Sequence, residues 1–449
     1  MAKILTISPL TRIEGHAKIT IHLDEQGRVE ETRLQVNSLR GFEKFVEGRP
    51  AEEIPRIVNR ICGICPWMHH LAAVKAVDAA FSAPLAPAGE RLRELCQVLA
   101  HIGDKILHFF FLAAPDFLLG PEVDYSVRNI TGIVQANPDL AARMVRMRRL
   151  VQTMIEDFAG KAIHPVAGVV GGFSRPLEEE MRQQMIQGLE ELYDFSCWAM
   201  DFAKEKVFTP FTDALSQYGS MNSGFLAMVG RKAGEFSLYD GLLRLMRADG
   251  SFCEFLPEHY DTYLAEHVVP WSYAKMPYAK AWQEGFSLDP EAPKGIYRVN
   301  TLARLNVCEY MDVPRAQEEL EEFRSRFGRP AQQTLLYHYA RMIELIYCCE
   351  KALTLLHSDA IVDPEVRLPV EPRAGRGVGV VEAPRGTLIH DYTTDANGCI
   401  TAANLIVGTT HNIGAMNISA SQAARKFITE GCDESMLNKV EMAVRAYDP

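Results

Sequence analysis

The sequence lacks three features that would each assign it to a class of protein. It has no run of 18 or more apolar residues, and its most apolar stretch, 109–119, is short and contains Asp116. We therefore expect no membrane-spanning helix. The N-terminus has no basic segment followed by an apolar one, so no secretory signal is predicted. Ten cysteines are too few for a disulfide scaffold, and a cytoplasmic location is expected.

Positive charge is also scarce. The chain has 47 Lys and Arg against 58 Asp and Glu, which gives a net charge of −11. Such a surface repels phosphate backbones, so no nucleic-acid partner is expected. Hydrophobic residues make up 47% and charged residues 23%, and these ordinary values exclude disordered, collagen-like and coiled-coil proteins. The 449 residues allow several domains or one large core.

Periodicity predicts an α+β protein that is mainly α. Strands are predicted at 3–8, 17–23, 28–37, 377–382, 386–392 and 399–406, and helices at 52–59, 67–81, 88–113, 138–160, 176–207, 315–356 and 419–446. Pro115 is expected to stop the third helix, 315–356 is one helix or two, and 208–300 is interpreted as irregular. We predict a single domain, 1–449, with a sheet segment at 1–60, a long-helix bundle at 61–360, and a sheet and helix at 361–449.

The sharpest local feature is the pair Cys62 and Cys65, followed by His69 and His70. Two thiolates three residues apart at a helix start can bind one metal, because the chain brings both sulfurs to the same side. A buried pair without a metal is the alternative for an isolated CxxC. A thioredoxin-like dithiol is disfavoured because no βαβ pattern surrounds the pair, and a closed zinc site would need two more ligands.

A second feature is the glycine-rich run GRGVGVVEAPRG at 375–386. Its glycine spacing does not match the GxGxxG of dinucleotide-binding proteins, and no helix pattern follows it. The run ends in a Pro-Arg-Gly turn that presents Arg385. Taken alone, the run favours a surface turn with a solvated arginine.

Several such pieces together resemble a known family. They are TRIEGH at 11–16, RGFEKFVEGRP at 40–50, RICGICPWMHH at 60–70, HPVAGVVGG at 164–172, GVGVVEAPRG at 377–386 and VRAYDP at 444–449. In order and spacing, they resemble the large subunit of nickel–iron hydrogenases along nearly the whole chain. The chain looks most like the cytoplasmic, multi-subunit branch, and within it like the hydrogenase that feeds heterodisulfide reductase.

The resemblance implies a nickel–iron centre with carbon monoxide and cyanide on the iron. Cys62 matches a terminal nickel ligand, and Cys65 matches a thiolate that bridges nickel and iron. Glu14 matches the carboxylate that passes protons to and from the nickel-bound thiolate. Arg385 matches the guanidinium over the open metal face, where it could polarise dihydrogen.

The resemblance also implies roles for residues around the metals. Asp104 and Asp448 match the carboxylates that orient the arginine, and Pro384 and Thr409 match the pocket around the cyanides. His69 matches a hydrogen-bond donor to the bridging sulfur.

A second metal and several partner proteins are implied as well. Glu43 matches a ligand of a buried magnesium or similar hard cation. The chain has no cysteine sets for iron–sulfur clusters of its own, so a partner small subunit is expected to carry them. The expected further partners are electron-transfer subunits (heterodisulfide reductase, a diaphorase or a deazaflavin module) and maturation factors.

The sequence departs from the family at its printed end. The family continues after Asp-Pro with Cys-x-x-Cys-x-x-His, whereas this sequence is printed to Pro449. It therefore supplies two of four thiolates and is predicted to be inactive by itself. The missing pair could begin with selenocysteine, whose UGA codon is misread as a stop. It could instead lie in an omitted ordinary cysteine tail or on a separate small peptide, or it could be lost.

Two functions remain open on this basis. The first is reversible heterolytic cleavage of dihydrogen, if the missing pair is supplied. The second is a metal-free scaffold related to the quinone-site subunit of complex I. The presence of Cys62, Cys65, Glu14 and Arg385 argues against the scaffold.

Overall fold

The N-terminal segment folds as predicted, into a small antiparallel sheet. The structure, a computed structural model, describes residues 3–38, 40–429 and 431–449. Strands β1 (Lys3–Ile7), β2 (Ala17–Leu23) and β3 (Val29–Val36) pair in chain order. Ile19 and Ile21 of β2 are fully buried, and their burial anchors the sheet to the core. The predicted segments 1–60 and 419–446 include positions 1, 2, 39 and 430, which lie outside the described residues.

The next elements bring the cysteine pair to the start of a helix. Helices α1 (Phe42–Val46) and α2 (Ile54–Val58) precede the cysteines, and α3 (Pro66–Phe81) begins directly after them. Pro66 is the first residue of α3, a position where the missing N–H costs no helical hydrogen bond. The helices predicted at 52–59 and 67–81 are confirmed, the first of them as α2 flanked by 3₁₀ turns.

The predicted end of the following helix is wrong. Helix α4 (Pro87–Ile106) continues through a π-helical stretch, Leu107–Ala113, into α5 (Ala114–Leu118), so Pro115 does not stop it. The wider hydrogen-bonding pattern of the π-helical stretch accommodates the proline ring and its missing N–H. The segment 87–118 is long and apolar enough to cross a membrane by length and composition alone. However, 78% of its most apolar window is buried inside the protein, as in a core helix.

Helices form most of the middle of the chain. They are α6 (Ile130–Ala136), α7 (Pro138–Ala159), α8 (Glu179–Ala203), α9 (Tyr260–Tyr263), α10 (Thr301–Val307), α11 (Pro314–Phe327) and α12 (Leu336–Leu356). The helices predicted at 138–160 and 176–207 are confirmed as α7 and α8. The segment 315–356 is two helices, because Gly328, with φ +77°, ends α11.

The interpretation of 208–300 as irregular is wrong. Strands β6 (Gly224–Val229), β7 (Leu242–Met246), β8 (Phe252–Phe255) and β11 (Tyr297–Arg298) form one sheet in the order β11-β6-β7-β8. Two-stranded sheets are formed by β4 (Gly168–Val169) with β5 (Gly172–Phe173), and by β9 (Leu264–His267) with β10 (Met276–Ala279). Every residue of β6 is buried, so the strand has no alternation of apolar and polar residues to reveal it.

The C-terminal segment forms a sheet followed by two helices. Strands β12 (Gly375–Ala383), β13 (Gly386–Thr394) and β14 (Ile400–Ile406) are antiparallel neighbours and confirm the three predicted strands. The single helix predicted at 419–446 is instead α13 (Gly408–Phe427) and α14 (Glu434–Arg445). Gly431 has φ +84°, and the side chain of Asp433 caps α14 by accepting from the amide of Met436. Both features require a break between the helices.

The glycine-rich run packs directly on the helix that follows the cysteines. A Cβ at Gly377 or Gly379 would lie 2.0 Å from the carbonyl oxygen of Ala76 or Ala72 on α3. The alternating glycines of β12 therefore permit a close approach to the small face of this helix. This contact brings the turn after β12, which carries Arg385, to the cysteine end of α3.

Candidate metal centre

Cys62 and Cys65 lie side by side where α3 begins. Cys65 is the residue that precedes α3, and its amide donates a hydrogen bond to Sγ of Cys62 over 2.9 Å. The two Cα atoms are 5.5 Å apart, and the structure joins the sulfurs as a disulfide. Both residues are buried. The two sulfurs are thus on the same side of the chain, and the reduced thiolate pair is the form that could bind a metal.

The carboxylate of Glu14 contacts this pair. Its Oε1 accepts hydrogen bonds from the amides of Gly63 over 2.8 Å and Ile64 over 3.2 Å. Its Oε2 lies 3.2 Å from Sγ of Cys62. A Cβ at Gly63 would lie 3.3 Å from Oε1, so glycine lets the carboxylate approach the backbone. One carboxylate oxygen is therefore fixed by amides, and the other faces sulfur.

The guanidinium of Arg385 lies next to the same carboxylate. Its Nη1 donates to Oδ2 of Asp104 and its Nη2 donates to Oδ1 of Asp448, both over 3.0 Å. Nη1 is also 3.8 Å from Oε2 of Glu14. The interpretation of this turn as a surface turn with a solvated arginine is wrong, because Arg385 is 5% exposed. Two carboxylates hold the planar guanidinium in one orientation.

Burial and neighbouring charges set the protonation of this group. Burial raises the pKa of Asp104 to about 6, with Arg385 opposing the shift and Asp448 adding to it. Burial alone would lower the pKa of Arg385, but Asp104, Asp448 and Glu14 raise it above its ordinary value. Arg385 is therefore a permanent cation. Asp104 changes charge near pH 6.

His69, in the first turn of α3, begins a buried chain of hydrogen bonds. Its Nδ1 is 3.2 Å from Nε2 of His390, and Nδ1 of His390 is 2.7 Å from the hydroxyl of Tyr392. Burial lowers the pKa of His69 to about 3, with Arg385 acting in the same direction, and burial also lowers the pKa of His390. Both rings are neutral at pH 7. Since a neutral ring donates from one nitrogen and accepts at the other, this chain fixes the tautomer of His69.

One cavity of about 300 Å³ joins these side chains. Six of the ten predicted site residues line it, namely Glu14, Cys62, Cys65, His69, Arg385 and Thr409. Its apolar walls include Leu10, Ile13, Ile413, Met416 and Val444. Pro449 also lines it, and the carbonyl of Pro449 accepts a hydrogen bond from the amide of Glu14 over 3.1 Å. The N-terminal and C-terminal motifs therefore meet at the cysteine pair.

The other four predicted residues lie outside this lining. Asp104 and Asp448 are buried partners of Arg385, and Pro384 is buried in the turn before it. Glu43 lines a separate cavity of about 190 Å³, where its Oε1 accepts from the amide of Leu405 over 3.0 Å. Within residues 3–38, 40–429 and 431–449, no three His, Cys, Asp or Glu side chains are grouped as a metal site. Neither Glu43 nor the cysteine pair thus forms a complete ligand set by itself.

Sequence reasoning missed the carboxylate that joins the two ends of the chain. Asp116 of α5 is buried and accepts hydrogen bonds from Arg12 and, over 2.6 Å, from Nη1 of Arg445. Arg12 belongs to the TRIEGH motif, and Arg445 belongs to VRAYDP. The available signal was the position of Asp116 within the most apolar stretch of the chain, because a buried carboxylate needs a charged partner.

The sequence is similar to those of hydrogenase subunits. The family described as "Nickel-dependent hydrogenase" matches residues 40–145, and the family described as "HoxL-like" matches residues 4–39. A subunit of the "F420-non-reducing hydrogenase vhu" of Methanococcus voltae is 47% identical over 94% of this chain and 98% of that relative. The "NAD-reducing hydrogenase HoxS subunit beta" of Cupriavidus necator is 36% identical over 100% of this chain and 94% of that relative.

The fold agrees with the sequence similarity. The crystal structure of an NAD⁺-reducing NiFe-hydrogenase in the H2-reduced state is similar with a TM-score of 0.94 and 40% identity, over 100% of this chain and 98% of that chain. The chain therefore belongs to the nickel-dependent hydrogenase family, as a large subunit. The donor types fit a nickel–iron centre because thiolates are soft ligands, and Cys62 and Cys65 supply two of them.

Proposed function

We propose that the chain is the catalytic subunit of a nickel–iron hydrogenase that cleaves dihydrogen reversibly into protons and electrons. The observation that carries this proposal is the cavity where the cysteine pair, Glu14 and Arg385 meet. Cys62 would be a terminal nickel ligand, and Cys65 would bridge nickel and iron. When bound, this centre supplies the Lewis-acid and redox chemistry that acts on dihydrogen.

Glu14 would exchange protons with the nickel-bound sulfur. Its Oε2 is 3.2 Å from Sγ of Cys62, which is within reach for direct proton transfer. Its Oε1 stays anchored by the amides of Gly63 and Ile64, so the transfer needs no large motion of the side chain. The side chain is 24% exposed, which gives the proton a route toward solvent.

Arg385 would polarise dihydrogen at the open face of the centre. The contacts with Asp104 and Asp448 leave its guanidinium pre-organised beside apolar walls, where a fixed charge acts strongly. We propose that these two carboxylates are positioning residues. Pro384 and Thr409 would surround the cyanides, which the iron would carry together with carbon monoxide.

His69 would donate a hydrogen bond to the sulfur of Cys65. If Tyr392 donates to Nδ1 of His390, then Nε2 of His390 donates to His69, and His69 carries its own proton on Nε2. Glu43 would contribute one carboxylate oxygen to a magnesium or similar hard cation. Backbone carbonyls and water would supply the remaining oxygen ligands.

Two further donors would complete the nickel–iron site. Residues that follow Pro449, or a separate peptide, would supply them, and the first could be selenocysteine in place of cysteine. Pro449 already lines the cavity, so a chain continuing from it would enter the site at once. Softer selenium would suit nickel as well as sulfur does.

The chain would act with partner subunits in the cytoplasm. As their names state, the similar chains are subunits of hydrogenases, and some of those hydrogenases reduce NAD. We propose that the immediate electron acceptor is an iron–sulfur small subunit. A module linked to heterodisulfide reductase, a diaphorase or a deazaflavin enzyme would follow it, and maturation factors would load the metals. The whole chain, 1–449, would be one domain.

The test is isotope exchange between D2 and water by the native complex, because exchange needs no electron acceptor. We expect the native complex to form HD and C62S to lose this activity. C253S is the control, since Cys253 lies on β8 away from the cavity. A nickel-loaded complex without exchange, or C62S with full exchange, would contradict the proposal. A complex with neither metal nor exchange would support the scaffold alternative.

A further inference from the structure

A buried arginine behind the Pro-Arg-Gly turn plays no part in the mechanism above. Arg304 lies on α10 and is 1% exposed. Its Nη1 donates to the carbonyl of Ala383 over 2.9 Å, and its Nη2 donates to the carbonyl of Pro384 over 3.3 Å. These are the two carbonyls immediately before Arg385. One guanidinium therefore holds the backbone from which the active-site guanidinium projects.

Two carboxylates fix Arg304 in this orientation. Glu344 of α12 accepts from Nε over 2.7 Å and from Nη2 over 2.8 Å, and Oε2 of Glu382 accepts from Nη1 over 2.8 Å. Oε1 of Glu382 accepts from the hydroxyl of Thr387 and the amide of Met228. Both carboxylates are fully buried. A buried, fully bonded pair contributes little net stability and can serve geometry instead.

The same cluster is connected to the carboxylate that orients Arg385. Nζ of Lys105 is 2.8 Å from Oε2 of Glu344. Lys105 follows Asp104 on α4, and Asp104 accepts from Nη1 of Arg385. Glu344 therefore links the helix that carries Asp104 to the arginine that holds the turn. Two cations and two anions balance in the cluster, so no net charge is buried there.

We infer that Arg304, held by Glu344, is a positioning residue that sets where the guanidinium of Arg385 lies in the cavity. The inference rests on the proposed function of Arg385. Gly386 follows the turn with φ +128°, a conformation that only glycine adopts readily, so the turn itself does not lock Arg385. A displacement of about 1 Å at a reacting group can cost about 100-fold in rate. Catalysis should thus be more sensitive than folding to a loosened turn.

The test uses R304K in the intact, metal-loaded complex. Lysine keeps the charge, but its single ammonium cannot reproduce the forked contacts with two carbonyls and two carboxylates. We expect kcat for dihydrogen to fall about 10- to 100-fold, with nickel content unchanged and KM changed much less. E344Q, which keeps acceptor oxygen but loses charge, should act in the same direction and replaces R304K if that variant does not fold.

R298K is the matched control. Arg298 is equally buried and donates to the carbonyls of Met221 and Gln332, without a hydrogen bond to the turn at 383–386. We expect R298K to lower the thermal midpoint about as much as R304K and to leave kcat close to that of the wild type. Equal losses of kcat in both variants, in proportion to stability, would overturn the inference.

A second readout does not depend on turnover. Amide hydrogen exchange of the peptide that spans 383–387 should be faster in R304K than in the wild type and unchanged in R298K. If R304K has wild-type exchange and wild-type kcat, the inference is wrong. If the wild-type complex itself shows no turnover, the proposed function fails, and the exchange comparison still decides whether Arg304 holds the turn.

Discussion

Replacing Asp116 by asparagine tests how the two ends of the chain are joined at the site. Asp116 accepts hydrogen bonds from Arg12 and Arg445, and their side chains are 12% and 1% exposed. Asparagine keeps the shape and an acceptor oxygen but removes the negative charge. Two largely buried guanidiniums then share one carboxylate fewer, and D116N should destabilise the folded chain.

The magnitude follows from the charges. At an effective dielectric constant of about 20, two unit charges about 4 Å apart attract by about 4 kcal/mol, so two direct partners give about 8 kcal/mol before desolvation. Burying the carboxylate offsets several kcal/mol of this, and breaking such a buried pair costs about 3–5 kcal/mol. We therefore expect D116N to lower the free energy of unfolding by about 3–5 kcal/mol at pH 7.

The sign of the pH dependence is also fixed. Burial would raise the pKa of Asp116, but Arg445 and Arg12 lower it below 3.8. The unfolded chain then binds the proton more readily than the folded chain. The stabilisation is present above the unfolded pKa and is lost as pH falls through the folded pKa. The difference between D116N and the wild type should therefore shrink in acid.

Urea unfolding of the complex, followed by tryptophan fluorescence, measures this difference. D249N is the control, because Asp249 is exposed and accepts hydrogen bonds in a surface turn at Ser251. We expect D249N to lie within about 0.5 kcal/mol of the wild type. A D116N protein as stable as D249N at pH 7 would refute the reasoning.

The remaining predictions concern the charges and the histidine chain around the cavity. Activity should fall as pH drops through about 6, where Asp104 takes up a proton, and D104N should give lower activity without this limb, as a pH–rate profile would show. A D104N profile that keeps the limb would exclude Asp104 as its origin. E14Q should lower D2–water exchange at least about 100-fold with nickel content unchanged, because an amide cannot carry the proton; full exchange would contradict the role of Glu14. Y392F should shift the infrared carbon monoxide band of the loaded complex, because His390 loses its partner and the tautomer of His69 is no longer fixed. An unchanged band would contradict this.

The strands at both ends of the chain and most of the long helices could be predicted from periodicity. The sheet between 208 and 300 could not, because β6 is buried along its whole length and carries no alternating pattern. The glycines of β12 were visible in the sequence, but their reason was not. They meet the carbonyls of α3, and only the packed structure shows that contact.

The site shows the same limit. The cysteine pair could be identified because its two residues are three positions apart. The burial of Arg385 could not, because its partners Asp104 and Asp448 are 281 and 63 positions away. The contacts of Arg304 with Glu344 and Ala383 span 40 and 79 positions. No local pattern marks such pairs, so the roles proposed for Arg385 and its two carboxylates depended on the family resemblance.

Nickel in the native complex is the most direct measurement of the central claim. Iron alone would not decide, because a small subunit with iron–sulfur clusters would also contribute it. We predict about one nickel per large subunit in the complex purified from its source under anaerobic conditions, and its loss in C62S. An intact, correctly assembled complex without nickel would contradict the assignment of Cys62 and Cys65 as ligands of a nickel–iron centre.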